Sequence, residues 1–137
     1  MKITRLMTSE VVTVHLDESL SVIKKIFEEE SFHHILVVDH RKLVGVISDR
    51  DLLKTLSPNI DTVAVTTKEL AALNKRAHQI MSRNLVVLTE DSTVKDAVLL
   101  FNQNSVSCLP VVTSDNRVLG ILTWRDIMRA LGKKYEG

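Results

Sequence analysis

The chain is short of almost everything that catalysis, secretion or nucleic-acid binding requires. One cysteine, Cys108, stands among 137 residues, so no internal disulfide can form, and its apolar neighbours point to a buried structural thiol. Charge of one sign is missing too: 18 Lys and Arg face 17 Asp and Glu. That balance gives no basic field of the kind nonspecific nucleic-acid binding relies on, and no nucleic-acid partner is expected. The opening Met1-Lys2-Ile3-Thr4-Arg5 lacks the apolar core of a signal peptide, and no apolar run approaches membrane-spanning length. No membrane partner and a cytoplasmic location are therefore expected. There is no phosphate-binding Gly-rich loop, no nucleophile elbow, and no histidine spaced against a serine or cysteine. A small enzyme, such as a nucleotide hydrolase, is the weakest of the functional classes, with no catalytic residue to name.

What the chain does have is a sentence written twice. Gly45-Val46-Ile47-Ser48-Asp49-Arg50-Asp51 returns as Gly120-Ile121-Leu122-Thr123-Trp124-Arg125-Asp126. Upstream of it Met7 aligns with Met81, Val12 with Val86, Asp17 with Asp91, Phe27 with Phe101 and Ser31 with Ser105, each 74 positions apart. Thr113 to Arg117 is one residue longer than Asp39 to Lys42, so the spacing from Gly45/Gly120 to Leu56/Leu131 is 75. A length change inside a polar turn is what a duplicated unit tolerates. The expected organisation is repeat 1 over 1–56, a spacer over 57–77 with its own short helix, and repeat 2 over 78–137. At 45% hydrophobic and 26% charged, neither half alone would bury much surface, and a shared core is expected.

Each repeat reads as βαββα. Val11-Val12-Thr13-Val14 and Leu85-Val86-Val87-Leu88 are short apolar strands. Leu20, Ile23, Ile26 and Phe27, and likewise Val94, Ala97, Val98 and Phe101, then recur at helical spacing. Thr93 with Asp96 forms a capping box, whereas Ser19 lacks the acid. Ile35 to Val38 and Leu109 to Val112 are buried strands, with Pro110 expected at a strand start or edge. Leu43 to Ile47 and Val118 to Leu122 lead into the second helices, the last of which Gly132 is placed to end. In the spacer, Thr66 and Glu69 are spaced as a capping box before Leu70.

The repeated sentence itself has two physical readings. Ser48 or Thr123 caps the following helix, with Asp51 or Asp126 capping in return. Alternatively, the same helix start offers unpaired N–H groups to a phosphate, while the carboxylate accepts two hydrogen bonds from ribose hydroxyls. Spacing alone leaves both open.

The βαββα order, the Met-x-x-x-hydrophobic-Val opening, Leu109-Pro110-Val111-Val112 and the Gly-x-x-Ser/Thr-x-Arg-Asp ending resemble the cystathionine beta-synthase (CBS) domain in its usual tandem pair. The resemblance covers nearly the whole chain. It implies an α+β fold of two repeats about a pseudo-twofold axis, and a regulatory module rather than an enzyme. It implies adenosine-containing ligands (AMP, ADP, ATP or S-adenosylmethionine), no required cofactor and no metal. It further implies a homodimer built through helices, of unspecified geometry, and an unidentified effector protein reached in trans.

Carried over residue by residue, the resemblance assigns two ligand sites. The first joins Thr123, Arg125 and Asp126 with Thr8, Val12, Phe32, His33 and His34. The second joins Ser48, Arg50 and Asp51 with Ser82, Val86, Val106, Ser107 and Cys108. If only one binds ligand, the one containing Asp126 is expected, because His33 and His34 suit a more anionic ligand than Ser107 and Cys108 do. Adjacent strand residues face opposite ways, so the His33-His34 pair is a poor chelate, and one partly buried and one exposed histidine is an equal alternative to a functional role. Leu36 departs from the family's proline at this position. Trp124 reads as a packing or interface residue, Asp49 as a solvated charge, and Glu28-Glu29-Glu30 as a solvated helix end.

Overall fold

The computed structural model of the chain describes residues 1–136. Its elements follow the doubled order: β1 (Thr13–His15), α1 (Leu20–Glu29), β2 (His34–Asp39), β3 (Lys42–Ser48) and α2 (Asp49–Thr55), then α3 (Thr67–Ala71) and α4 (Ala77–Ile80) in the spacer region. The second round comprises β4 (Leu88–Thr89), α5 (Val94–Gln103), β5 (Cys108–Val112), β6 (Val118–Thr123) and α6 (Trp124–Glu136). Two three-stranded sheets result, ordered β1-β2-β3 and β4-β5-β6. In each, the opening strand runs parallel to the middle one. The fold is mixed α+β. No helix among the described residues is long and apolar enough to cross a membrane.

The chain divides into two compact units that do not coincide with the repeats. One takes Val12–His40 with Val44–Leu85; the other takes Met1–Val11, Arg41–Leu43 and the chain from Val86 onward. Each has its own core, and each core draws on both repeats, as the expected sharing between the halves requires. Val14, Leu20, Ile23, Ile35, Val37 and Ile47 cluster with Ala77 and Met81 in the first. Leu88, Phe101, Leu109, Val111, Leu122 and Ile127 cluster with Ile3 in the second. Each sheet completes its core with a segment taken from the start of the other repeat, which supplies the apolar surface that a half of this size lacks.

The opening strands start later and are shorter than their apolar runs suggested. Pro110 explains part of this. It is fully buried in the middle strand, not at its start, and pairs with Ile121 of β6. Ile121 spends both backbone groups on Thr8, at 2.9 Å each, so the nitrogen of Pro110 points to the β4 side, where pairing begins only at Val111. Locally that side is an edge, and the missing N–H leaves no gap in a ladder. Leu36, at the same place in the first sheet, has an N–H and donates it to Val12 O at 3.2 Å. Pairing there begins one residue earlier, at Thr13↔Leu36.

Helix caps account for most of the remaining boundaries. Thr93 and Asp96, and Thr66 and Glu69, make both reciprocal bonds of a capping box. Ser19 caps through Val22 N–H, while the Glu18 carboxylate accepts from Ser19 N–H in place of the absent acid. Gly132 does not end the last helix: α6 continues through it to Glu136. Nothing lies within 4 Å of where its Cβ would stand, so no neighbour forces the backbone to turn.

Candidate functional site

In the β4-β5-β6 unit, β6 delivers Thr123 directly into the first turn of α6. Thr123 N–H donates to Asp126 Oδ2 at 2.9 Å, its hydroxyl donates to the same oxygen at 3.2 Å, and Asp126 N–H lies 3.4 Å from Thr123 Oγ1. A second hydroxyl arrives from far away in sequence. Thr8 donates to Asp126 Oδ1 at 3.5 Å, and Arg129 Nη1 lies 3.6 Å from that oxygen. Asp126 is only 6% exposed, and these partners replace the water that burial takes from its oxygens.

Thr8 reaches this place because Gly120 has no side chain. Residues 7 and 8 cross β6 through an isolated antiparallel bridge, Thr8↔Ile121. A Cβ on Gly120 would stand 2.7 Å from Thr8 O and 2.9 Å from Met7 Sδ. The glycine of the repeated sentence is therefore a crossing point.

The other unit repeats the construction. Ser82 bridges Val46 with bonds of 3.1 and 2.9 Å, and a Cβ on Gly45 would stand 2.3 Å from Met81 Sδ. Ser48 N–H donates to Asp51 Oδ2 at 2.9 Å, and Asp51 N–H to Ser48 Oγ at 3.1 Å. Both helix-cap readings are realised in full. Both units also hold a hydroxyl side chain and a carboxylate beside a helix start, joined in one of them by the Thr8 hydroxyl, the groups a ribose-phosphate needs.

Not every assigned residue shares a unit with its set. Thr8, Thr123, Arg125 and Asp126 lie in one compact unit; Val12, Phe32, His33 and His34 lie in the other. Likewise Ser48, Arg50, Asp51 and Ser82 belong together, whereas Val86, Val106, Ser107 and Cys108 belong to the second unit. Arg50 and Arg125 project from exposed first-turn positions. Phe32 packs edge-on against Phe27, ring centroids 6.2 Å apart. Val12, Val86 and Val106 are half-buried and Ser107 is exposed.

The two histidines divide as adjacent strand residues should. His33 is exposed and His34 half-buried. Burial pushes the His34 imidazole below its ordinary pKa, against the pull of the Asp49 carboxylate, with His33 lowering it further and Asp51 opposing. Asp49 is not simply a solvated charge: its Oδ2 lies 2.8 Å from His33 Nδ1, and its N–H donates to His33 O at 3.0 Å. Trp124, its counterpart, packs on Phe101 with centroids 5.1 Å apart, in line with a packing role. Cys108 is buried, and desolvation pushes its thiol up to about 12, which removes it as a nucleophile near neutral pH. Among the described residues no three His, Cys, Asp or Glu side chains gather as a metal would require.

Sequence reasoning missed the crossing glycines, Arg129 beside Asp126, and the His33 to Asp49 contact. The first had a signal: the Met-Thr and Met-Ser dipeptides recur in step with Gly120 and Gly45.

The CBS domain model matches residues 3–58 and 77–133. A CBS domain-containing protein of Dictyostelium discoideum is 34% identical over 98% of this chain and 93% of its own length. Among solved structures, the CBS domain pair of protein MJ0100, in complex with 5'-methylthioadenosine and S-adenosyl-L-methionine, superposes with a TM-score of 0.79 at 30% identity over 98% of both chains. CBSX2 of Arabidopsis thaliana, in complex with AMP, does so with a TM-score of 0.78 at 25% identity, again over 98% of both. Two archaeal relatives at 31 and 32% identity are longer proteins, of which the chain spans 38% and 22%.

Proposed function

The chain belongs to the CBS domain family as a tandem pair, and from that premise we propose that it is a regulatory module that binds an adenosine-containing ligand and does no chemistry on it. The observation that carries this reading is a hydroxyl residue and a carboxylate joined at a helix start, built twice: Thr123 with Asp126, where the Thr8 hydroxyl also meets the carboxylate, then Ser48 with Asp51. The carboxylate accepts from the ribose hydroxyls. Helix N–H groups and the flanking arginines, Arg125 and Arg50, attract the phosphate or other polar tail. Apolar residues ahead of β1 and β4, Val12 and Val86 first among them, supply a face for adenine, and His33 and His34 favour the more anionic ligands. AMP, ADP, ATP and S-adenosylmethionine are the ligands to try, since similar pairs hold AMP, S-adenosylmethionine and methylthioadenosine. The module acts as a homodimer and signals to a partner protein by preferring ligand in one of two arrangements.

One observation favours a second reading. The same Ser/Thr and Asp side chains already complete capping boxes, so a purely structural or interaction module would keep them. Thermal unfolding of nucleotide-free protein with each of the four ligands separates the two. Ligand at 100 times its dissociation constant adds about 2.7 kcal/mol of stability. That gain is expected in wild type and lost when Asp51→Ala and Asp126→Ala are combined, although the loss of each cap alone costs about 0.5–2 kcal/mol. Asp96→Ala, which breaks a capping box outside the repeated sentence, should lower stability and leave the ligand shift intact. No shift in wild type with any of the four rejects the ligand reading; turnover of any of them rejects the claim of no chemistry.

A further inference from the structure

A methionine stands at each strand crossing, and the two differ in how far solvent reaches them. In the β4-β5-β6 unit Met7 lays its thioether on Gly120: a Cβ there would stand 2.9 Å from Met7 Sδ and 3.3 Å from its Cγ, beside the Thr8 carbonyl at 2.7 Å. Met7 packs against that unit's core but is only half-buried. Met81, its counterpart, lies against Gly45 in the other unit and is 8% exposed, inside the core. The remaining two methionines, Met1 and Met128, are surface residues, 73 and 58% exposed. Thr8, the residue after Met7, reaches Asp126 through the crossing, where it exchanges two backbone bonds of 2.9 Å with Ile121.

We infer that Met7 is a modification site at which a hydroperoxide controls this crossing. A lone pair of the Met7 sulfur attacks one oxygen of the hydroperoxide, the O–O bond breaks, and the other oxygen leaves as water or an alcohol after taking up the proton. The product is methionine sulfoxide, a polar group in place of an apolar one. Its oxygen is a strong acceptor set against β6, where Ile121 N–H is already donated to Thr8 O and Thr8 N–H to Ile121 O. A buried acceptor without a donor is unfavourable, so the oxidised side chain leaves the crossing for water. Thr8 then loses its hold on Ile121 and Asp126, and the site of Thr8, Thr123 and Asp126 weakens. Burial of Met81 spares the site of Ser48, Asp51 and Ser82. The modification stands on the packing alone; its consequence for ligand rests on the proposed function.

Peroxide treatment of wild type, followed by peptide mass spectrometry, should show Met1 and Met128 oxidised first, Met7 next and Met81 last. Once Met7 is oxidised, hydrogen exchange at the Thr8 and Ile121 amides should quicken at least about tenfold, while the Val46 and Ser82 amides of the other crossing keep their rates. Binding of AMP, ADP, ATP and S-adenosylmethionine is measured in Asp51→Ala, so that the site of Asp126 is read by itself, and should weaken at least about tenfold on oxidation. Met7→Leu, close in volume and without sulfur, still oxidises at Met1 and Met128 and should keep both exchange and binding. Methionine sulfoxide reductases of both epimer specificities should restore the oxidised protein. Oxidation of Met81 before Met7 overturns the inference, as does a Met7 sulfoxide that leaves exchange at Thr8 and Ile121 unchanged. Equal losses in peroxide-treated Met7→Leu also overturn it. Where Met7→Leu is itself disturbed, the reductases decide: exchange that stays quick after the sulfoxide is removed counts against Met7. Quickened exchange with unchanged binding rejects the coupling to ligand. Quickened exchange in a wild type that binds none of the four ligands before treatment rejects the ligand reading and leaves the oxidation site standing.

Discussion

Gly120 and Gly45 show how a single hydrogen in place of a side chain sets a site. Both let a Met-Ser/Thr dipeptide cross a strand, but what stands in the way of a Cβ differs. At Gly120 it is the Thr8 carbonyl, 2.7 Å off; at Gly45 it is the Met81 side chain, 2.3 Å at Sδ and 2.7 Å at Cγ. Backbone cannot swing aside as a thioether can. Gly120→Ala is expected to cost about 1–3 kcal/mol, and Gly45→Ala less, measured as chemical-denaturation midpoints of the two variants. The reverse order would mean that Met81 is the more rigid obstacle.

His34 makes a pH prediction at the same scale. Burial is the first cause of its lowered pKa, so the folded chain holds it neutral where the unfolded chain takes up a proton. The contribution to stability is therefore present in full above the ordinary value of 6.5 and is lost as pH falls through it towards the depressed folded value. Asp96 and Asp115, held low by hydrogen bonds from Thr93 and Thr113, weaken the fold only in the carboxylate range below that. Urea midpoints at pH 7.5 and 5.5 should converge in His34→Gln and differ in wild type; equal slopes in both proteins would remove His34 as the cause. That one histidine would be partly buried and one exposed was readable from strand alternation. That Asp49 would meet His33 was not, because the contact joins the start of α2 to the residue before β2.

At the scale of elements, the sequence marked almost every helix start through its caps, since the signal is local: an oxygen and an acid three residues apart. Strand ends were less legible, because a ladder begins only where a partner can donate. The one-residue difference between the β1 and β4 pairings is the clearest case. Leu36 offers an N–H to Val12 O at 3.2 Å, and Pro110 has none to offer. Leu36→Pro should therefore remove one hydrogen bond from an edge of the ladder, at about 0.5–1.5 kcal/mol, far below the roughly 3 kcal/mol of a proline in a helix interior. Denaturant unfolding gives the cost, and hydrogen exchange should show the change confined to the start of β1. A collapse of the whole first sheet would show that Leu36 does more than extend the pairing.

For the whole molecule, the repeat was visible and the partition into units was not. Internal self-similarity gives the boundaries of what was duplicated, yet the segments that cross Gly120 and Gly45 come from the start of one repeat and pair with the end of the other. Only contacts far apart in sequence reveal this, and periodicity carries no such information. The consequence is testable at Ile3, which is fully buried among Leu88, Leu109, Val111 and Leu122 although it stands near the start of the chain. The segment around it is tied in by Ile3 N–H to Ser92 O and Val94 N–H to Met1 O, each at 3.0 Å. Ile3→Ala removes a core side chain, at about 2–5 kcal/mol. Proximity in sequence would assign that loss to the sheet of β1, β2 and β3. The packing assigns it to β4, β5 and β6, so native-state hydrogen exchange should accelerate at the amides of β5 and β6 more than at those of β2. Equal acceleration in both sheets would mean that the two units open as one. Acceleration mainly in β2 would place the N-terminal segment in the wrong core.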